Sequence, residues 1–163
     1  MAEIALNVEQ EIIRDKYRGA LLGLAVGDAL GTTLEFKAPG TFKPITGMIG
    51  GGPFDLEPGQ WTDDTSVALC LAESLIEKRS FDPKDQMDRY CRWRDPGYLS
   101  STGRCFDIGN TVQNALSTYL RTSNPLSGSE SPTTAGNGPL MRPLGSQEIN
   151  RRDLDKIWRG YLS

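Results

Sequence analysis

Gln60-Trp61-Thr62-Asp63-Asp64-Thr65-Ser66 marks the join between a glycine-rich loop and an apolar helix. Upstream, Gly47, Gly50, Gly51, Gly52, Pro53, Pro58 and Gly59 punctuate the chain too often for a regular element. Downstream, Val67, Ala68, Leu71, Ala72, Leu75 and Ile76 recur at helical spacing. Thr62, Asp63 and Asp64 therefore gather three oxygen-bearing side chains at a helix start. Two readings are open. One is an N-cap, in which a Thr or Asp accepts a hydrogen bond from an orphan N–H and the acids suit the helix dipole. The other is a metal site, because adjacent carboxylates repel unless a cation neutralises them, and hard ions such as Mg²⁺ take several oxygen ligands at close range.

Composition narrows the chemistry. The 163 residues fit one domain and suffice to bury a core. A net charge of −3 and a pI near 5.0 give no electrostatic case for nucleic acid or an anionic membrane. The chain has no histidine, which removes Ser-His-Asp and Cys-His catalysis, His-ligated zinc and His general acid–base work. Any hydrolytic chemistry then falls to carboxylates, a hard metal, or both. Cys70, Cys91 and Cys105 have no Cys-x-x-Cys spacing and read as reduced core thiols. The first residues lack the basic and apolar regions of a signal peptide, and Asp28 ends the longest apolar run well short of a membrane span. A cytoplasmic location is expected.

Taken in order, the chain predicts a helix over 9–30 in which Gly19, Gly23, Gly27 and Gly31 fall four apart. Interior glycine costs helix stability, so the stripe implies either close approach of another backbone or a tightly packed core helix. Asp28 follows a run of Leu, Ala and Val and needs a partner if buried. Residues 37–61 read as loop. Asp82-Pro83 makes a good Ncap–N1 pair for a helix carrying Met87, Tyr90, Cys91 and Arg94, which Asp95-Pro96-Gly97 ends. Residues 97–109 read as loop before a helix with Val112, Ala115, Leu116, Tyr119 and Leu120 on its core face. A surface loop is expected over 122–134. Asn150 can cap a last helix with Leu154, Ile157, Trp158, Tyr161 and Leu162 on one face, serving as a cover for the core or as a docking surface. No internal repeat is present.

Several blocks together resemble the ADP-ribosylglycohydrolase family. They are residues 17–31 with their Gly-Asp-Ala-Leu-Gly ending, Glu35-Phe36, the Trp61-Thr62-Asp63-Asp64-Thr65 run, residues 103–111, and Gly136-Asn137-Gly138-Pro139-Leu140-Met141-Arg142. They come in the family's order with similar gaps, over residues 14–142. The resemblance implies an all-α, orthogonal helical bundle and hydrolysis of the bond between ribose C1″ of ADP-ribose and an acceptor. The acceptor class spans ADP-ribosylated arginine, serine or another protein side chain, and small conjugates. It implies two Mg²⁺ or Mn²⁺ ions, with Thr62, Asp63 and Asp64 as ligands and Glu35, on a flap, handling protons. Asp63 and Glu35 are thus the implied catalytic groups. Asp28 is placed in the substrate pocket, Gly103, Asp107 and Gly109 become ADP-ribose contacts, and Asn137 and Gly138 line the nucleotide pocket. A carboxylate beside a scissile glycosidic bond is chemically apt.

The family also carries a later Asp-x-Asp-Thr segment, for which this sequence has no counterpart. Asp153-Leu154-Asp155-Lys156 imitates its first positions but sits in an amphipathic stretch, where solvated helix acids explain it better. The expectation is an incomplete domain over 14–143 followed by a divergent helix over 144–163. Two functions follow from that: a metal-dependent hydrolase, or a catalytically inactive descendant or fragment that binds ADP-ribose, with one metal ion or none.

Overall fold

The structure, a computed structural model, describes residues 2–129. The expected sites Asn137 and Gly138, the Asn150-capped helix and the 144–163 segment lie outside the described residues. Within them the regular elements are helices: α1 (Ala2–Gly31), α2 (Asp63–Lys78), α3 (Pro83–Arg94) and α4 (Asn110–Thr122). Short 3₁₀ turns follow at Thr32–Leu34 and Gly52–Phe54, and an isolated bridge joins Gly51 to Leu56. The all-α expectation holds. No described helix is long and apolar enough to cross a membrane.

Helix α2 packs between α1 and α3, and α4 packs on α3. Its periodic residues account for this: Val67, Ala68 and Leu71 are buried, along with Cys70 and Ser74 on the same side. Asp82 caps α3 as its sequence predicts, accepting a hydrogen bond from the Asp85 amide at 3.0 Å, with Pro83 in the first turn. Met87, Tyr90 and Trp93 of α3 then meet Val67, Cys70, Leu116 and Tyr119 to form the core. Burial pushes the Cys70 thiol up to about 12, so it behaves as an inert core group. All three cysteines are free.

Arg89 of α3 is 3% exposed, and its guanidinium is shared by Asp85 at 2.6 Å, Glu77 at 2.6 Å and Glu73. Tyr98 donates a 2.6 Å hydrogen bond to Glu73, while Arg92 lies over the Tyr98 ring at 4.4 Å. This polar knot closes the end of the α2–α3 contact without leaving the buried charge unpaired.

Three expectations need correction. Helix α1 begins at Ala2 rather than near residue 9, because nothing in residues 2–8 breaks a helix. Leu120 is 55% exposed, so the core face of α4 is Leu116 and Tyr119 with Val112 and Ala115 half-buried. The glycine stripe is not packed against a neighbour: a Cβ added at Gly19, Gly23, Gly27 or Gly31 meets nothing within 4 Å among the described residues. These glycines keep one side of α1 low and open.

Candidate functional site

Asp28 organises the site from the last turn of α1. Its carboxylate accepts hydrogen bonds from the Thr62 amide at 3.1 Å, the Thr62 hydroxyl at 2.7 Å, the Thr65 amide at 3.0 Å and the Thr65 hydroxyl at 2.6 Å. The start of α2 is thus capped by a side chain 34 residues away in sequence. Thr62 occupies the N-cap position without capping through its own side chain, because its hydroxyl is given to Asp28. The N-cap that was one of the two readings of this run is therefore supplied by a cross-helix clamp, with the carboxylate at the positive end of the helix dipole. Ser66 completes the turn by donating to the Thr62 carbonyl at 2.9 Å.

The clamp leaves a cleft of about 490 Å³ between α1, the first 3₁₀ turn and the start of α2. Gly23, Gly27 and Gly31 form its floor, and Asp28, Thr32, Glu35, Thr62 and Asp64 line it. The small glycine side of α1 thus faces this cleft rather than another helix among the described residues. Glu35 follows the 3₁₀ turn, where its carboxylate accepts a long 3.5 Å hydrogen bond from Thr32. Gly52 adopts φ +70 and approaches the Thr32 carbonyl so closely that a Cβ would stand 2.5 Å from it. Thr33 donates to the Gly50 carbonyl at 3.0 Å. These contacts hold the loop of 37–61 against the turn that carries Glu35.

Asp63 is 4% exposed, is not among the residues that line the cleft, and is in hydrogen-bond contact with Asp107. Asp107 also contacts Glu35. The loop that carries Asp107 is fastened to the central motif where Ser101 donates to the Trp61 carbonyl at 2.6 Å. Gly97 makes that loop possible, since a Cβ there would lie 2.4 Å from Arg104 Cα. Gly103 and Gly109 are exposed, and Gly109 stands at the N-cap of α4. Neither lines the cleft.

Electrostatically the site is an excess of carboxylate. Burial, then the neighbouring charges of Asp107 and Asp64, push Asp63 up to about 8. Burial and the charges of Glu35 and Asp64 bring Asp107 to about 7. Glu35 and Asp64 are raised as well, first by burial and then, for both, by the charge of Asp28 among others. No basic side chain is among the strongest influences on these four groups. Hard, mutually repelling oxygens of this kind suit a divalent cation. The chemistry of the donor set fits such an ion, but the geometry is incomplete: among the described residues no three His, Cys, Asp or Glu side chains converge as a metal-holding group.

The ADP-ribosylglycohydrolase family profile matches residues 9–153. The chain belongs to the ADP-ribosylglycohydrolase family. It is 49% identical over 144 residues to the ADP-ribosylarginine hydrolase Tri1 of Serratia proteamaculans, covering 88% of this chain and 39% of that protein. The Tri1 hydrolase of Pseudomonas putida is 45% identical over 154 residues, covering 94% of this chain and 41% of that protein. The ADP-ribosyl-[dinitrogen reductase] glycohydrolase of Rhodospirillum rubrum is 40% identical over 139 residues, covering 81% and 44%. A solved chain of an ADP-ribosylglycohydrolase-related protein complex superposes with a TM-score of 0.69 at 49% identity, over 91% of this chain and 48% of that one. The chain spans about two fifths of the length of the first curated relatives it matches.

Against the sequence expectations, the structure brings Asp28, Glu35, Thr62 and Asp64 of this family member to one cleft, and brings Asp63 and Asp107 into contact with each other outside its lining. Sequence reasoning missed Thr32 and Thr65 as partners of Glu35 and Asp28. Thr65 stood within the quoted motif, and a hydroxyl one helical turn from Thr62 was the available signal. It also missed that Phe36, Phe54 and Phe106 form one aromatic strip, for which no short-range signal exists.

Proposed function

We propose that the chain supplies the ADP-ribose-handling part of an ADP-ribosylarginine hydrolase, acting on the bond between ribose C1″ and a guanidino nitrogen of an ADP-ribosylated protein. The convergence of Asp28, Glu35, Thr62 and Asp64 on one open cleft carries this reading, and the likeness to two ADP-ribosylarginine hydrolases supports it. In the reaction, water adds its oxygen to C1″, the C1″–N bond breaks, and the departing nitrogen takes a proton. Glu35 is suited to move that proton because it is a carboxyl on the wall of the cleft, which burial and then the charges of Asp64 and Asp28 raise above its usual value against the lowering by the Thr32 hydroxyl. Asp28 fixes the start of α2, so that Thr62 and Asp64 keep their places on the cleft wall. Gly23 and Gly27 leave the floor free for the ribose.

Thr62, Asp63 and Asp64 would hold Mg²⁺ or Mn²⁺. When bound, such an ion orients a ribose diol and lowers the pKa of water. The incomplete ligand set among the described residues favours a second reading, ADP-ribose binding without turnover. The two separate in one assay: ADP-ribose released from ADP-ribosylated agmatine by the purified chain in excess Mg²⁺. Hydrolysis is expected to be lost in Asp64→Asn. No release at high protein and metal concentration sinks the turnover reading, and calorimetric titration with ADP-ribose then decides on binding.

A further inference from the structure

Three phenylalanines from separate parts of the chain form a strip, and two of them stand next in sequence to carboxylates of the acidic cluster. Phe36 meets Phe54 edge to face with centroids 6.3 Å apart, and Phe54 meets Phe106 at 5.3 Å. Phe54 and Phe106 are half-buried, whereas Phe36 is 79% exposed. The strip is joined to the carboxylates at both ends, because Phe36 follows Glu35 and Phe106 precedes Asp107, and these two acids are in hydrogen-bond contact. Phe36 is also held at φ 60, a conformation that bulky side chains rarely adopt, with the Lys37 amide bonded back to the Leu34 carbonyl.

A large exposed aromatic ring on a fixed turn, one residue from a carboxylate whose cluster has no base among its strongest neighbours, suits a particular occupant. The ring face is negative, so it attracts a cation, and a flat delocalised cation can stack on it while its edge donates to carboxylates. A lysine-like ammonium satisfies only the point charge, and a neutral acceptor satisfies neither feature. We propose that Phe36, backed by Phe54 and Phe106, is a specificity-determining residue that stacks the guanidinium of the arginine acceptor. The inference rests on the proposed ADP-ribosylarginine reading and assigns the acceptor side of that site.

The test titrates the full chain, in Mg²⁺, with three probes followed by NMR: Nα-acetylarginine methylamide, its neutral isostere Nα-acetylcitrulline methylamide, and ADP-ribose. The arginine probe is expected to bind more tightly than the citrulline probe, with shifts at Phe36 and its ring neighbours. Phe36→Leu, at an exposed position that the core does not use, should weaken the arginine probe about 2–5-fold, and Phe36→Tyr should retain it. Equal binding of arginine and citrulline, or no loss in Phe36→Leu, overturns the inference. So does a Phe36→Leu effect confined to ADP-ribose, which would assign the ring to the adenine instead. Failure of ADP-ribose itself to bind overturns the proposed function, and it is read separately from the acceptor probes.

Discussion

Asp28→Ala is the substitution that most directly tests how the site is built. The carboxylate is the partner of two backbone amides and two hydroxyls at the start of α2, and both threonines are 3% exposed. Each buried donor left unsatisfied costs about 1–3 kcal/mol, and a lost helix cap alone costs about 1 kcal/mol. The hydroxyls can turn to other acceptors, so the amides dominate, and the expected loss is about 3–5 kcal/mol. Asp28→Asn keeps one acceptor oxygen and gives up the charge, which sets its loss near half of that. The control is Asp15→Ala on the same helix, where the 3.7 Å pair with Arg18 is exposed on both sides and worth under about 0.5 kcal/mol. Urea unfolding followed by circular dichroism gives all three values. The order Ala, Asn, control is predicted. An Asp28→Ala loss no greater than that of Asp15→Ala refutes the clamp.

Further expectations concern the polar knot and the glycines. Arg89→Met should cost about 3–5 kcal/mol by urea unfolding, because Asp85, Glu73 and Glu77 lose a partner that is itself buried. Burial alone would raise Asp85, but its hydrogen bonds, chiefly from Arg89, win and bring it down to about 2. A carboxyl lowered in the folded state stabilises above its unfolded pKa near 3.8, and that contribution disappears as pH falls through about 2. Asp85→Asn should therefore lose stability at pH 6 but much less at pH 2, measured as unfolding midpoints across that range. Gly23→Ala should gain about 0.5–1 kcal/mol, since the added methyl meets open space inside a helix, whereas Gly52→Ala should lose stability through its clash with Thr32. A destabilised Gly23→Ala would show that another backbone packs on that side of α1.

Much of the fold was legible because its signals are local. The apolar period of α2 and the Asp82-Pro83 start of α3 need only neighbours within a turn or two, and both appear where expected. The capping of α2 was not legible in the same way. Thr62 carries every local mark of an N-cap, yet its partner is Asp28, far off in the chain, and the acid that looked in need of a partner was the one that supplies the cap. The glycine stripe misled for a related reason. Spacing places Gly19, Gly23, Gly27 and Gly31 on one side of a helix but does not say whether a backbone or a cleft lies opposite. Glu35 and Asp64 line one cleft although no local signal joins them, and the strip of Phe36, Phe54 and Phe106 likewise depends on three loops meeting and left no mark on any one of them.

The central claim is that the cleft under Asp28 takes ADP-ribose, and ligand-dependent thermal unfolding of the full chain tests it most directly. With Mg²⁺ present and ADP-ribose at about a hundred times its dissociation constant, binding to the folded state adds about 2.7 kcal/mol and raises the midpoint by several degrees. Asp64→Asn should shrink that rise. A midpoint indifferent to ADP-ribose at millimolar concentration, with or without Mg²⁺, contradicts the account.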